Sequence, residues 1–128
     1  MDHIETHNGI QLIRELKQNR LLSRYNDECF NAAVKDINLQ YQRVVDAMCD
    51  SSIDKQSLTD TAHVTMTVQC MRRNIRCSLA YLNYRLNKIE KFIWESGKNL
   101  PDHILEHLSP AELTYVKKYI ENLEEYNK

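Results

Sequence analysis

The sequence predicts an all-α protein, an elongated bundle of about five helices built on one long central helix. Three observations lead there. The 128 residues contain only two glycines and two prolines, too few to punctuate the short turns of a sandwich or barrel. Apolar residues between positions 62 and 96 recur at an unbroken helical spacing, and the other apolar residues fall into shorter segments with the same period. A chain of this length has the common size of one domain, so a single unit over residues 1–128 is expected, with one core affordable without disulfides or metals.

The first helix is expected over residues 8–19, where Ile10, Ile13 and Leu16 supply one apolar face. The second spans 27–49 behind Asn26 as N-cap and carries Phe30, Ala33, Val34, Ile37, Tyr41, Val44, Val45 and Met48. Residues 50–61 are rich in Ser, Asp and Thr and read as a mobile connecting loop from which Leu58 docks.

The long helix is expected over 62–96, with Val64, Val68, Met71, Ile75, Leu79, Leu82, Leu86, Ile89 and Ile93 as its stripe. The gaps of 4, 3, 4, 4, 3, 4, 3 and 4 average about 3.6, the pitch of a straight α-helix. Gly97 ends it, because glycine accepts the left-handed conformation without a Cβ penalty. Pro101 opens a short helix over 101–108 as its first residue, where the missing N–H costs nothing, and Ile104, Leu105 and Leu108 face inward. Ser109-Pro110-Ala111-Glu112 has the form of a capping box for a helix reaching residue 126, with Leu113, Val116, Ile120 and Leu123 as its stripe. No internal repeat, low-complexity tract or domain linker is evident.

A helix of roughly 35 residues spans about 52 Å, whereas a compact domain of this size is about 36 Å across, so the central helix must overrun the globule. At about 100° per residue its stripe marks one face, expected to be the internal core. A second apolar set, Met66, Cys70, Cys77, Tyr81, Tyr84 and Phe92, lies on the other side, and a polar sector with Gln69, Arg72, Arg76, Asn83, Asn87 and Glu90 separates them. Either the chain's own short helices wrap both faces or another subunit covers part of the second. Seven tyrosines against two phenylalanines favour the subunit, since tyrosine suits a surface that is wet before docking and buried afterwards.

Seventeen basic and 18 acidic residues leave a net charge of −1, so the overall field does not recruit nucleic acid. Neither a bilayer-length apolar run nor a signal peptide is present, and a soluble, intracellular chain with no membrane contact is expected. Cys29, Cys49, Cys70 and Cys77 contain no CxxC pair and are expected to be buried thiols. His103-Ile104-Leu105-Glu106-His107 matches the inverted zincin string, but only 21 residues follow His107 to supply a third ligand, and solvated side chains are expected instead. His3 and His7 repeat the spacing near the N-terminus and carry the same expectation. Arg72, Arg73 and Arg76 form a local basic cluster whose alternative role is direct DNA contact; salt bridges and interfacial hydrogen bonds are the expected use.

Two ordered strings stand out. Arg73-Asn74-Ile75-Arg76-Cys77-Ser78-Leu79-Ala80-Tyr81, with Arg85 beyond, resembles the R-N-x-R-C-x-x-A-Y-x-x-x-R signature of the GINS complex subunit 1 family. Trp94-Glu95-Ser96-Gly97-Lys98-Asn99-Leu100-Pro101 resembles that family's W-E-x-G-x-x-L-P junction at the matching distance downstream. Leu12-Ile13-Arg14-Glu15-Leu16 is similar to its opening helix, so the resemblance runs from about Ile10 to Tyr126.

The resemblance implies a helical bundle domain in a non-catalytic nuclear subunit. Its implied partners are the three other subunits of the GINS heterotetramer and, within the replicative helicase, the MCM ring and its Cdc-type companion protein, with a replicative polymerase as a further contact. The MCM ring binds the ATP, and no cofactor, metal or catalytic residue is implied here. Carried over residue by residue, the pattern singles out Arg73, Asn74, Arg76, Cys77, Tyr81, Arg85, Trp94 and Gly97, with the apolar residues packing and the arginines bridging helices or subunits. Tyr84 and Phe92 join them from the second apolar face. Members of the family continue into a small β-rich C-terminal domain, whereas this sequence stops at Lys128; tetramer formation through the helices is expected to survive without it.

Overall fold

Five α-helices form the regular structure of the described residues: α1 (Asn8–Gln18), α2 (Asp27–Cys49), α3 (Leu58–Ser96), α4 (Asp102–Leu105) and α5 (Pro110–Tyr126). The structure is a computed structural model and describes residues 8–18, 22–49, 58–97 and 99–127.

α3, with 39 residues, is about 58 Å long at 1.5 Å per residue and serves as the axis on which the other helices pack. It begins at Leu58, four residues before the expected start. Loop-like composition misleads there, because Asp60 lies in the first turn, where a carboxylate favours the helix dipole. The Thr65 and Thr67 hydroxyls likewise donate back to the Thr61 and His63 carbonyls inside the helix. Residues 50–57 of the expected loop, and His3 and His7, lie outside the described residues.

Local signals locate the other helix ends. Asn26 caps α2, its Oδ1 accepting the Cys29 N–H at 3.0 Å, and Asp27 and Glu28 occupy the first turn. At Ser109 the capping box is complete: its Oγ accepts the Glu112 N–H at 3.3 Å while Glu112 Oε1 accepts the Ser109 N–H at 3.0 Å. Gly97, at φ 77°, closes α3 with its N–H donated to the Ile93 carbonyl. α4 is shorter than expected, and Pro101 is its N-cap rather than its first helical residue. After Leu105 the turn tightens, with the His107 N–H donated to the Ile104 carbonyl and the Leu108 N–H to the Leu105 carbonyl, and the His107 carbonyl accepts the Tyr25 N–H at 2.9 Å.

Two cores share the axis. Around its middle, Leu12 of α1, Ala33 of α2 and Tyr81 of α3 are buried together, with Leu16, Tyr25, Cys29, Phe30 and Leu82 around them. Toward the C-terminal end of α3, Ile89 and Ile93 pack with Leu22, Leu100, Ile104, Leu108 and Val116. Leu113, Ile120 and Leu123 of the expected α5 stripe line this second core, as do Phe92 and Leu105.

Several expectations need correcting: in α2, Val34, Tyr41 and Met48 of the expected stripe are exposed, and the buried residues are Ala33 and Gln40. In α1 the deepest residues are Gly9 and Leu12, not the line through Ile10 and Ile13. Gly9 permits close approach to α3, since a Cβ there would stand 3.1 Å from Asn74 Oδ1 and 3.3 Å from Cys77 Cβ. On α3, Ile75 and Leu79 of the expected core stripe are 36% and 60% exposed, while Tyr81 of the opposite set is 0% exposed. The buried line instead runs through Thr67, Asn74, Ser78, Tyr81 and Arg85 before reaching Ile89 and Ile93. Its polar members lie between the two apolar sets on the helix circumference, so α1 and α2 bury a strip that a count of apolar residues alone displaces to one side. The four thiols, finally, are free but not deeply buried: Cys29, Cys70 and Cys77 are half-buried and Cys49 is exposed. A helix edge beside a bundle seam shields one side of such a residue and leaves the other open.

Candidate functional site

Arg85 joins the two cores. Its side chain is fully buried and engages the Glu112 carboxylate with two nitrogens, Nε to Oε2 at 2.9 Å and Nη2 to Oε1 at 3.1 Å. Nη1 donates to the Ser23 carbonyl at 2.6 Å and Nη2 also donates to the His107 carbonyl at 3.0 Å. The guanidinium lies over the rings of Tyr25 and Tyr81, 5.3 and 5.7 Å from their centroids. Only arginine's planar fork can serve two carboxylate oxygens and two carbonyls at once, so lysine would leave acceptors without donors. One side chain thereby ties α3 to the segment before α2, to the turn after α4 and to the start of α5.

Tyr81, one turn earlier, extends this hub. Its hydroxyl accepts the Asn26 N–H at 3.1 Å, while the Asn26 amide donates to Glu15 Oε1 of α1 at 2.8 Å. Its ring packs against Tyr25 and Phe30 with centroids 5.9 and 6.4 Å apart. Burial raises the phenol pKa of Tyr81, opposed by the Asn26 N–H and by Arg85. Burial pushes Tyr25 up to about 12, with the neighbouring Tyr81 adding to the effect. Both rings therefore stay neutral beside the cation.

A smaller polar seam lies two turns toward the N-terminus of α3. The Asn74 amide donates to Gln40 Oε1 of α2 at 3.2 Å, and the Ser78 hydroxyl donates to the Asn74 carbonyl at 2.9 Å. At the other end, the Trp94 indole N–H donates to the Tyr119 hydroxyl at 2.9 Å, and the Tyr115 hydroxyl donates to Glu90, latching α3 to α5.

The sequence-predicted residues thus divide into three groups. Asn74, Tyr81 and Arg85 are inside the bundle; Arg73, Cys77 and Phe92 are half-buried along its seams; Arg76, Tyr84 and Trp94 are at the surface. Gly97 terminates the helix. Sequence reasoning missed Glu112 as the partner of Arg85, although the capping box had already singled it out as a local N-terminal carboxylate. It also missed Ser23 and Tyr25, which carry no periodic signal, and it singled out Asn26 only as the cap of α2.

Away from the hub, α3 keeps an open face. Gln69, Arg72, Ile75 and Arg76 line a shallow depression, and Leu79 follows one turn on. In the inverted zincin string His103 and Glu106 are exposed, and His107 Nδ1 sits 3.0 Å from the Leu22 carbonyl. Among the described residues no three His, Cys, Asp or Glu side chains gather as a metal-binding group. Among the described residues no helix is long and apolar enough to cross a membrane.

Comparison with known proteins matches residues 51–128 to the GINS complex protein helical bundle domain (Sld5). The chain is 32% identical over 123 residues to the probable DNA replication complex GINS protein PSF1 of Dictyostelium discoideum, covering 95% of this chain and 64% of that protein. It is 28% identical over 124 residues to the DNA replication complex GINS protein PSF1 of Xenopus laevis, covering 92% and 61%. With the probable PSF1 of Caenorhabditis briggsae it shares 30% identity over 119 residues, covering 90% and 57%. The chain therefore spans less than two thirds of the length of these relatives.

Proposed function

The chain belongs to the GINS subunit 1 family, and on that premise we propose that it is a non-catalytic scaffold subunit of a GINS heterotetramer. It acts in the nucleus during initiation and elongation of DNA replication, with the three other GINS subunits as direct partners. The MCM ring, its companion protein and a replicative polymerase belong to the larger assembly.

The observation that supports this reading most is how the signature residues divide their work. Arg85, Tyr81 and Asn74 are spent inside the chain, fixing α1, α2 and α5 against α3. The axis is thereby made rigid while Ile75, Leu79, Tyr84 and Trp94 stay at its surface. A preorganised rod with uncovered apolar residues suits a part that is completed by neighbours, because little ordering entropy is left to lose on docking. Direct DNA contact through the Arg72/Arg73/Arg76 face is the second reading, favoured by the exposure of Arg72 and Arg76.

The test is co-expression with the other three subunits, one of them tagged. Retention of this chain in a stable stoichiometric complex is expected. A stable monomer that passes through untouched contradicts the scaffold role.

A further inference from the structure

On α3 the open face combines two chemistries. Ile75 and Leu79, one helical turn apart, expose apolar side chains, and Arg72 and Arg76 flank them at the same spacing. Neither arginine has an ion pair or hydrogen bond to any described residue, in contrast to the fully engaged Arg85. Gln69 closes the end of the depression. An apolar ridge rimmed by two cations of fixed spacing is complementary to a helix bearing leucine-type side chains with carboxylates beside them.

We propose that the 69–79 face of α3 receives an acidic amphipathic helix from a different chain, whose apolar ridge seats on Ile75 and Leu79 and whose carboxylates pair with Arg72 and Arg76. The proposal rests on the scaffold reading above and adds where the docking occurs and what the partner presents. Arginine at both rim positions allows two parallel hydrogen bonds to each carboxylate, which fixes register as well as sign.

Charge decides against two other occupants. A second copy docking on the same face about a two-fold axis would bring Arg72 and Arg76 against their own equivalents. A DNA backbone would satisfy the arginines but would set Ile75 and Leu79 against phosphates and water, in a protein whose net charge is −1.

The test introduces Arg72→Glu with Arg76→Glu, and separately Ile75→Ser with Leu79→Ser, into the chain co-expressed with the other GINS subunits. Leu39→Ser, on an exposed part of α2, is the control. Each pair is expected to weaken assembly at least about tenfold, as for truncation of central contacts, with the control unchanged and helicity preserved. If the serines lower helicity, Leu79→Ala alone is read instead and is expected to weaken assembly in the same direction. Should the unaltered chain fail to assemble, the scaffold reading itself falls. If the unaltered chain assembles and both variants assemble equally well, that reading stands and this docking face is wrong. Two further outcomes also overturn the proposal: loss of DNA binding in the arginine variant with assembly intact, or a homodimer of the chain alone that both variants dissolve.

Discussion

Replacing Arg85 with methionine keeps much of the side-chain length and removes the charge on which four elements converge. The Glu112 carboxylate, itself buried, would lose both nitrogens of its partner and retain from the hub only the Ser109 N–H. Breaking a buried ion pair from one side costs about 3–5 kcal/mol, because the remaining ion is left uncompensated. The Ser23 carbonyl loses its arginine donor as well, about 1–3 kcal/mol if it stays dry, whereas the His107 carbonyl keeps the Tyr25 N–H. These contributions overlap, and a total near 5 kcal/mol is expected, comparable to the whole stability of many small domains. Guanidinium unfolding followed by far-ultraviolet circular dichroism measures it, with the Arg85→Lys variant expected to fall between. A loss below about 1 kcal/mol, the range of exposed pairs, would refute the picture of a dry hub.

Gly9→Ala should destabilise the bundle by about 1 kcal/mol in the same assay, because overpacking against Asn74 and Cys77 outweighs the gain in helix propensity. Ser109→Ala removes one half of the capping box at α5 and should cost about 1 kcal/mol; an unchanged midpoint would mean that Glu112 is held by Arg85 alone. Spectrophotometric titration should find Tyr25 and Tyr115 ionising near 12 rather than 10, the first through burial and the second through its hydrogen bond to Glu90. The fold favours the neutral phenol in both, so that share of stability is intact below pH 10 and fades as the pH rises toward 12. Ionisation of every tyrosine at 10 would contradict both environments.

What was legible in the sequence was local. Asn26 as the cap of α2, the Ser109–Glu112 box and Gly97 at the end of α3 each depend on residues within one turn, and each is found where its spacing predicts. Helix existence followed from apolar period in the same way. The faces of α3 did not, because half of its buried line is polar. Asn74 and Arg85 are tolerated inside through partners such as Gln40, Ser23 and Glu112, which are distant in sequence and invisible to a window, whereas Thr67 and Ser78 donate to carbonyls one turn back on α3 itself.

Tyr81 shows the consequence most directly. Its place in an apolar set opposite the expected core suggested an outward docking residue, yet its ring fills the α1–α2–α3 core and its hydroxyl satisfies a backbone N–H near the cap of α2. The family string singles out Tyr81 and Arg85, and both side chains are buried and engaged within the chain. Ile75 and Leu79, expected in the core stripe, are uncovered, as are Met66 and Tyr84 of the opposite set.

Amide hydrogen exchange along α3, with and without the three other GINS subunits, tests most directly whether neighbouring chains complete this rod. Slowed exchange centred on residues 69–79 upon assembly, with the segment around Arg85 already slow in the isolated chain, is the predicted result. Exchange that is the same in both states over the whole of α3 would contradict it.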